Sequence, residues 1–381
     1  MRLTCVVGAR PNFMKIAPIV TAARQHPDLD TTLVHTGQHY DERMSDLFFR
    51  ELGLPAPDVH LGVGSATHAV QTARVMTAFD ETLDRHATDV VVVVGDVNST
   101  LACALVAVKR SIKVAHVEAG LRSFDRTMPE EINRVLTDQI SDYLFTTERT
   151  AHDHLRAEGI PDERVYFVGN VMIDTLLRNR ERAKGSDAIA RHGVERRGYA
   201  LCTLHRPSNV DTPEDARNTV EALRALAKRL PVILPLHPRS QLKLREFGLL
   251  DEIATWGCVQ IVDPLGYLDF LALMDNARLV FTDSGGIQEE TTALGVPCLT
   301  FRENTERPIT VTQGTNQVVG LDPSRVARAT DEILAGHGRN GRVPELWDGH
   351  AAERIVAVLA GTPASPGGHP PRAKRERTIS T

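Results

Sequence analysis

The sequence predicts two doubly wound α/β units facing each other across a cleft. Three observations carry this expectation: a length of 381 residues, an alternation of short β-branched runs with longer amphipathic stretches in both halves, and small, charged or hydroxyl residues just after those runs. A single hydrophobic core seldom grows past roughly 250–300 residues, so the length asks for two. The alternation is that of βαβ units and parallel sheets. Sheets of this kind bind ligands outside the carboxyl ends of their strands, where the third group of residues falls.

In the first half the strand candidates are Leu3–Val7, Thr32–Thr36, Val90–Val94, Lys113–Glu118, Tyr143–Thr146 and Val165–Val168, with helices at Ser99–Lys109 and Glu130–Asp138. Pro129 suits a first helical position, where a missing N–H costs nothing. In the second half strands are expected at Tyr199–Thr203, Pro231–Leu236, Val259–Val262, Leu279–Thr282 and Cys298–Phe301, and helices at Pro213–Arg229, Tyr267–Asn276 and Gly286–Leu294. The charged, aperiodic stretch Arg178–Gly198 places the passage between units near 170–198. The expected division is a first Rossmann-like unit over 1–170 and a second over 171–350. A helix over 351–360 packs back on the first unit, and a Pro-, Gly- and base-rich disordered tail follows over 361–381.

Composition narrows the function. A net charge of −5 offers no general attraction to nucleic acid or anionic lipid. No stretch approaches the roughly 20 apolar residues of a membrane span, and the N-terminal run is too short for a signal peptide. Cys5, Cys103, Cys202, Cys258 and Cys298 have no CxxC or zinc spacing, which suggests a reducing, cytoplasmic setting. No GxxxxGK[ST] loop is present for nucleoside triphosphate hydrolysis, no GxGxxG for a nicotinamide, and no HExxH for zinc, so neither cofactor nor metal is expected.

Chemistry gathers after the strands. Arg10 and Lys15 in GARPNFMK are two cations that could face a diphosphate, or else solvated charges at a helix start. In DSGGIQEE, Ser284, Gly285 and Gly286 combine a hydroxyl, two glycines and a helix N-terminus, the arrangement that receives a phosphate. Glu290, one to two turns on, is placed to accept from ribose hydroxyls. A plain Ser N-cap with a glycine turn is the other reading. The acidic group is stronger. Asp96 follows VVVVG, Glu118 ends the next strand, and Glu131 opens the helix after that strand's loop, with Arg134 one turn later. Neighbouring parallel strands bring these carboxylates to one rim, where like charges must perturb one another or meet a cation. Asp96 alone reads more readily as a helix cap than as a catalyst. From the second half, His205 with Arg206 and His237 with Arg239 follow strands as acid, base or phosphate donors, or as loop histidines bonded locally.

The motifs GARPNFMKIAPI, TGQHYDERM, GDVNSTLA, HVEAGLRS, PEEINR, GNVMIDTL, DSGGIQEE and RENTERP, in order from residue 1 to about 320, resemble those of the non-hydrolysing UDP-N-acetylglucosamine 2-epimerases. The resemblance implies a GT-B type fold, UDP-N-acetylglucosamine and UDP as ligands, no metal or NAD, and a homodimer; the pathway served, whether cell-envelope polysaccharide, capsular or secondary-metabolite assembly, stays open. It implies roles in proton transfer for Asp96, Glu118, Glu131 and His205, and nucleotide contacts for Arg10, Lys15, Ser284, Gly285, Gly286 and Glu290. Arg134, Arg302, Glu306 and Arg307 lie in matching motifs. One departure stands out. Residues 38–44 read QHYDERM, two positions longer than the QHxxM segment through which many bacterial members bind a second, activating nucleotide sugar. Gln38 and His39 are therefore candidates for an allosteric site whose retention is open.

The chemistry implied is elimination of UDP to 2-acetamidoglucal and re-addition, because the C2 hydrogen is not next to a carbonyl and no nicotinamide motif supports an oxidative route. The readings left beside it are a hydrolysing 2-epimerase releasing N-acetylmannosamine, a glycosyltransferase of the same fold, and a silent nucleotide-sugar sensor.

Overall fold

A computed structural model describes residues 1–37, 50–204 and 209–361, and of Arg10 only the backbone. Two parallel sheets organise the chain. The first holds β1 (Arg2–Val7), β2 (Asp30–His35), β3 (Val59–His60), β4 (Val90–Val94), β5 (Lys113–Val117), β6 (Tyr143–Thr146) and β7 (Val165–Phe167), in the order β3-β2-β1-β4-β5-β6-β7. The second holds β8 (Ala200–Thr203), β9 (Val232–Pro235), β10 (Val259–Val262), β11 (Leu279–Thr282), β12 (Cys298–Thr300) and β13 (Asn316–Val318), in the order β10-β9-β8-β11-β12-β13. Strand order reverses between β1 and β4 in one and between β8 and β11 in the other. At such switch points the helices diverge to opposite faces and leave a crevice. The doubly wound fold expected from the sequence is thus the fold observed.

The strands form where the sequence is β-branched and apolar on both faces. All five valines of β4 are buried, which suits a central parallel strand covered from both sides. Helix ends carry their own signals. Thr212 accepts from Asp215 N at 3.1 Å, and Pro213, Glu214 and Asp215 fill the first turn of Pro213–Ala227. Gly295, left-handed at φ 70°, ends Gly285–Leu294.

The stretch 170–198 is more ordered than its charges suggest. Asn170 accepts from Met172 N at 2.9 Å and starts the helix Val171–Ala183, in which Val171, Met172, Ile173 and Leu176 are buried. This helix joins the halves. Thr175 Oγ1 donates to Met14 O at 2.5 Å on one side, and Arg180 meets Asp275 at 3.0 Å on the other. The last helix, Ala351–Leu359, packs against the first half. Ala351 N and Ala352 N donate to Asp174 at 3.1 and 2.7 Å, and Trp347 Nε1 donates to Thr147 O at 3.0 Å. Its Ile355, Val356 and Leu359 share a core with Ile16, Ile19 and Val20 of the helix Arg10–Gln25. Among the described residues no helix is long and apolar enough to cross a membrane.

Candidate active site

The backbone at the first switch point is built for close approach. Gly95, after β4, has φ 67°, and a Cβ there would stand 2.9 Å from Lys15 Nζ. Glycine alone lets the β4 turn pass under that lysine. Lys15 reaches across to β5 and donates to Glu118 Oε2 at 2.6 Å, with both side chains buried. Glu118 is left-handed at φ 71°, a conformation that strains a non-glycine residue by about 1–3 kcal/mol and persists where the surroundings over-determine it. Its own N–H and that of Ala119 both donate to Phe145 O at 3.1 Å.

Asp96 follows Gly95 and keeps about 25% of its side chain open. Arg134 Nη2 donates to Asp96 Oδ2, and Arg134 Nη1 to Glu131 Oε2 at 2.6 Å, so one guanidinium ties two of the three carboxylates together. Asn133 Nδ2 holds Asp96 O at 2.9 Å. Burial pushes the Asp96 carboxyl up, but Arg134, Lys15 and Arg307 together hold it below the ordinary aspartate value, so it is ionised at neutral pH. Glu131 accepts from Ser123 N, Ser123 Oγ and Phe124 N, all at 2.9 Å. Both of its oxygens are committed, which makes it a brace for the loop between β5 and the helix Pro129–Ile140.

The second half contributes across the crevice. Arg307, buried, lies 3.3 Å from Glu118 Oε2 through Nη2 and 2.9 Å from Glu289 Oε1 through Nε. Asn170 Nδ2 also donates to Glu289 at 3.0 Å. Lys15 and Arg307 thus balance Glu118 and Glu289. Burial drives the Glu289 carboxyl up to about 7 against the pull of Arg307. Arg302 meets Glu306 at 2.8 Å, and Glu306 Oε1 lies 2.6 Å from where a Cβ on Gly285 would stand, against the first turn of Gly285–Leu294. Among the described residues, Glu118 Oε1, Glu289 Oε2, Arg302 Nη1 and Arg307 Nη1 are buried without hydrogen-bond partners. Each such atom costs about 1–3 kcal/mol, which marks the crevice as a place for a polar ligand.

Ser284 is the first residue before the helix Gly285–Leu294, and its side chain makes no cap bond there; its N–H donates to Thr282 Oγ1 at 3.0 Å. Ser284, Gly285 and Gly286 keep partial exposure while Glu290 is buried behind them, accepting from Tyr267 Oη at 3.0 Å. Burial raises the Glu290 carboxyl to about 8, opposed by Tyr267 and reinforced by Glu289.

The structure therefore brings Lys15, Asp96, Glu118, Glu131, Arg134 and Arg307 into one network, with Arg302, Glu306 and Gly285 in a second group. Arg10 begins its helix immediately after β1. His237 stands apart as the exposed cap of Pro238–Glu246, accepting from Arg239 N at 3.3 Å. His205, Gln38 and His39 lie outside the described residues. Glu289 and Asn170 escaped the sequence reading. DSGGIQEE carries two adjacent glutamates, and the first of them, Glu289, is the one that meets Arg307. Among the described residues no group of three or more His, Cys, Asp or Glu is arranged to hold a metal.

Comparison with known proteins places this architecture. The sequence model described as UDP-N-acetylglucosamine 2-epimerase matches residues 21–360. The UDP-N-acetylglucosamine 2-epimerase of Methanocaldococcus jannaschii is 44% identical over 94% of this chain and 99% of its own. The UDP-2,3-diacetamido-2,3-dideoxy-D-glucuronate 2-epimerase of Pseudomonas aeruginosa is 42% identical over 94% and 99%. The crystal structure of the M. jannaschii enzyme in complex with UDP-GlcNAc and UDP superposes with a TM-score of 0.89 at 44% identity, covering 95% of this chain and all of that one. That of the Neisseria meningitidis UDP-GlcNAc 2-epimerase bound to UDP-GlcNAc gives 0.87 at 28%, with the same coverage. A sucrose-phosphate synthase from Thermosynechococcus elongatus, 14% identical, superposes at 0.58 over 95% and 97%, a likeness of fold alone.

Proposed function

The chain belongs to the UDP-N-acetylglucosamine 2-epimerase family, and from that premise we propose that it interconverts UDP-N-acetylglucosamine and UDP-N-acetylmannosamine without hydrolysis. The observation that carries the mechanism is the placement of two carboxylates, Asp96 and Glu118, after adjacent strands β4 and β5, each held by cations.

A C2 proton flanked by no carbonyl is lost only if a leaving group departs from C1 as the base acts. One carboxylate takes the C2 proton, the C2–H electrons form the C1=C2 bond, and the C1–O bond breaks to release UDP. The departing diphosphate takes the C1–O electron pair and with it one further negative charge, which Arg302, Arg307, Lys15 and the helix N-terminus at Ser284–Gly286 are assigned to stabilise. The 2-acetamidoglucal stays in the closed crevice. The second carboxyl group, having taken up a proton from water, delivers it to the opposite face of C2 as a UDP oxygen re-forms the bond to C1, and the first returns its proton to water, so atoms and charge balance. Removal from one face and delivery to the other needs two separate groups. Glu131 supports them through Arg134 and the loop it braces, and His205 is assigned to transition-state support.

The free cysteines fit a reducing, cytoplasmic setting, and a homodimer is carried over with the family reading. The test is incubation with UDP-N-acetylglucosamine alone in deuterated water, followed by NMR of the anomeric signals. Deuterium at C2 with the anomeric phosphate intact is the expected result. Free N-acetylmannosamine would assign the hydrolysing reaction, and a requirement for an acceptor would assign transfer. Asp96→Asn or Glu118→Gln with normal turnover and normal C2 exchange would remove that residue from the mechanism.

A further inference from the structure

The helix Pro129–Ile140 carries Glu131, Arg134 and Asp138 at spacings of three and four, so they line one face. The first two engage Asp96 and the loop after β5. Asp138 lies one turn further in, fully buried and outside the cluster, yet it is bonded to the backbone beneath both carboxylates. Its Oδ2 accepts from Gly120 N at 3.0 Å, two residues beyond Glu118. Its Oδ1 is 2.6 Å from His116 Nδ1, and the far nitrogen of that ring, Nε2, is 2.8 Å from Gly95 O, beside Asp96. A carbonyl oxygen only accepts, so Nε2 donates to Gly95; the Nδ1 contact then joins the ring to the carboxylate. Arg122 Nη2 lies 2.7 Å from Asp138 Oδ2 and 2.6 Å from Glu158 Oε2, closing the network on its outer side. His116 and Asp138 are wholly inaccessible, and every oxygen of the carboxylate is used.

The two turns gripped in this way are the ones that need gripping. Gly95, Glu118 and Gly120 all have positive φ, at 67°, 71° and 78°. Backbone in this region relaxes unless its surroundings over-determine it, and relaxation would swing Asp96 and Glu118 relative to each other.

We propose that Asp138 is a positioning residue for the epimerase reaction: acting directly on Gly120 and through His116 on Gly95, it sets the separation of Asp96 and Glu118 on the two sides of C2. The inference rests on the reading of those two carboxylates as the acid/base pair. Its consequence is specific. Most of the nucleotide groups, Ser284, Gly285, Gly286 and Glu290, sit on the second half, so loosening the clamp disturbs proton transfer far more than UDP binding. Displacements near 1 Å at reacting groups cost on the order of 100-fold in rate.

The test is Asp138→Asn, which keeps shape but turns an NH2 toward one of its donors. The expected result is a kcat at least about 30-fold lower, with KM and the Kd for UDP within about threefold of wild type. The kinetic isotope effect with C2-deuterated substrate should also increase, because proton transfer becomes the slow step. A kcat within about threefold, or a loss matched by the fraction of UDP-binding sites with an unchanged isotope effect, overturns the proposal. His116→Gln, whose amide reaches Gly95 O or Asp138 but not both, covers the case in which Asp138→Asn does not fold. It should lower kcat about tenfold with the same isotope signature, and normal turnover would overturn the proposal. Asp96→Asn and Glu118→Gln run alongside. If they turn over normally, the acid/base reading falls and takes this inference with it. If they are inactive while the Asp138 and His116 variants behave as wild type, the positioning role alone falls.

Discussion

Replacing Glu290 by Gln should make the ligand-free protein more stable at alkaline pH while weakening its hold on UDP. In the unfolded chain this carboxyl ionises near 4.5, and in the folded protein burial lifts it to about 8. Between those values folding takes up a proton, so the stability contributed by the neutral side chain is fully present below 4.5 and is lost as pH rises through about 8. Each pH step in that window removes up to about 1.4 kcal/mol, so going from pH 5 to pH 8 removes on the order of 3 kcal/mol from wild type through this group. Gln is isosteric, accepts the same bond from Tyr267 Oη, and never ionises. Glu289, which burial lifts to about 7, titrates in both proteins and leaves only its coupling to Glu290 in the difference. Urea unfolding without ligand should therefore give two proteins within about 1 kcal/mol at pH 5 and a variant more stable by roughly 2–4 kcal/mol at pH 8. Calorimetry at pH 7 should meanwhile show UDP bound about 3–10-fold more weakly, the worth of a neutral carboxyl's hydrogen bond to a ribose hydroxyl. Parallel stability profiles across pH would refute the reasoning, and unchanged UDP affinity would remove Glu290 from the nucleotide site.

Two further outcomes follow from the same geometry. Gly120→Ala would place a Cβ 2.4 Å from Ala151 O at φ 78°, whereas Gly159→Ala, at φ 82°, meets nothing within 4 Å. Thermal unfolding should show a loss of about 2–5 kcal/mol for the first and about 1–2 for the second, and equal losses would mean that the contact with Ala151 carries no strain. Asp174→Ala strips the acceptor from the buried N–H groups of Ala351 and Ala352. It should cost about 2–4 kcal/mol and speed hydrogen exchange at those two amides; retained protection there would show that apolar packing alone holds the last helix.

Much of the fold was legible because each central strand announces itself. Val90–Val94 admits no other arrangement than a strand buried on both faces, and Leu279–Thr282 and Tyr143–Thr146 read at their observed bounds. Two of the four edge strands did not. Val59–His60 is two residues long and Asn316–Val318 holds a single apolar side chain, so neither carries a periodic signal; each is a strand only because a neighbour offers its ladder. The site divides the same way. That Asp96, Glu118 and Glu131 emerge at one rim follows from strand adjacency. The pairing of Arg307 with Glu118, 189 positions apart, and of Asn170 with Glu289 depends on how the halves are set against each other. Lys15, which the sequence offers to a diphosphate, is paired with Glu118 by a contact that joins residues 103 positions apart.

The return of the helix Ala351–Leu359 to the first half has a consequence for the order in which the molecule is made. Ile16, Ile19 and Val20 are wholly buried in a core that includes Ile355, Val356 and Leu359. During synthesis the first seven strands leave the ribosome some 180 residues before that helix does, about 10–40 s at ordinary elongation rates. For that interval the earliest-made helix bears an uncovered apolar stripe. The half that is begun first is therefore finished last, and a truncation removing only the final helix would yield a chain prone to self-association before it lost any residue of the crevice.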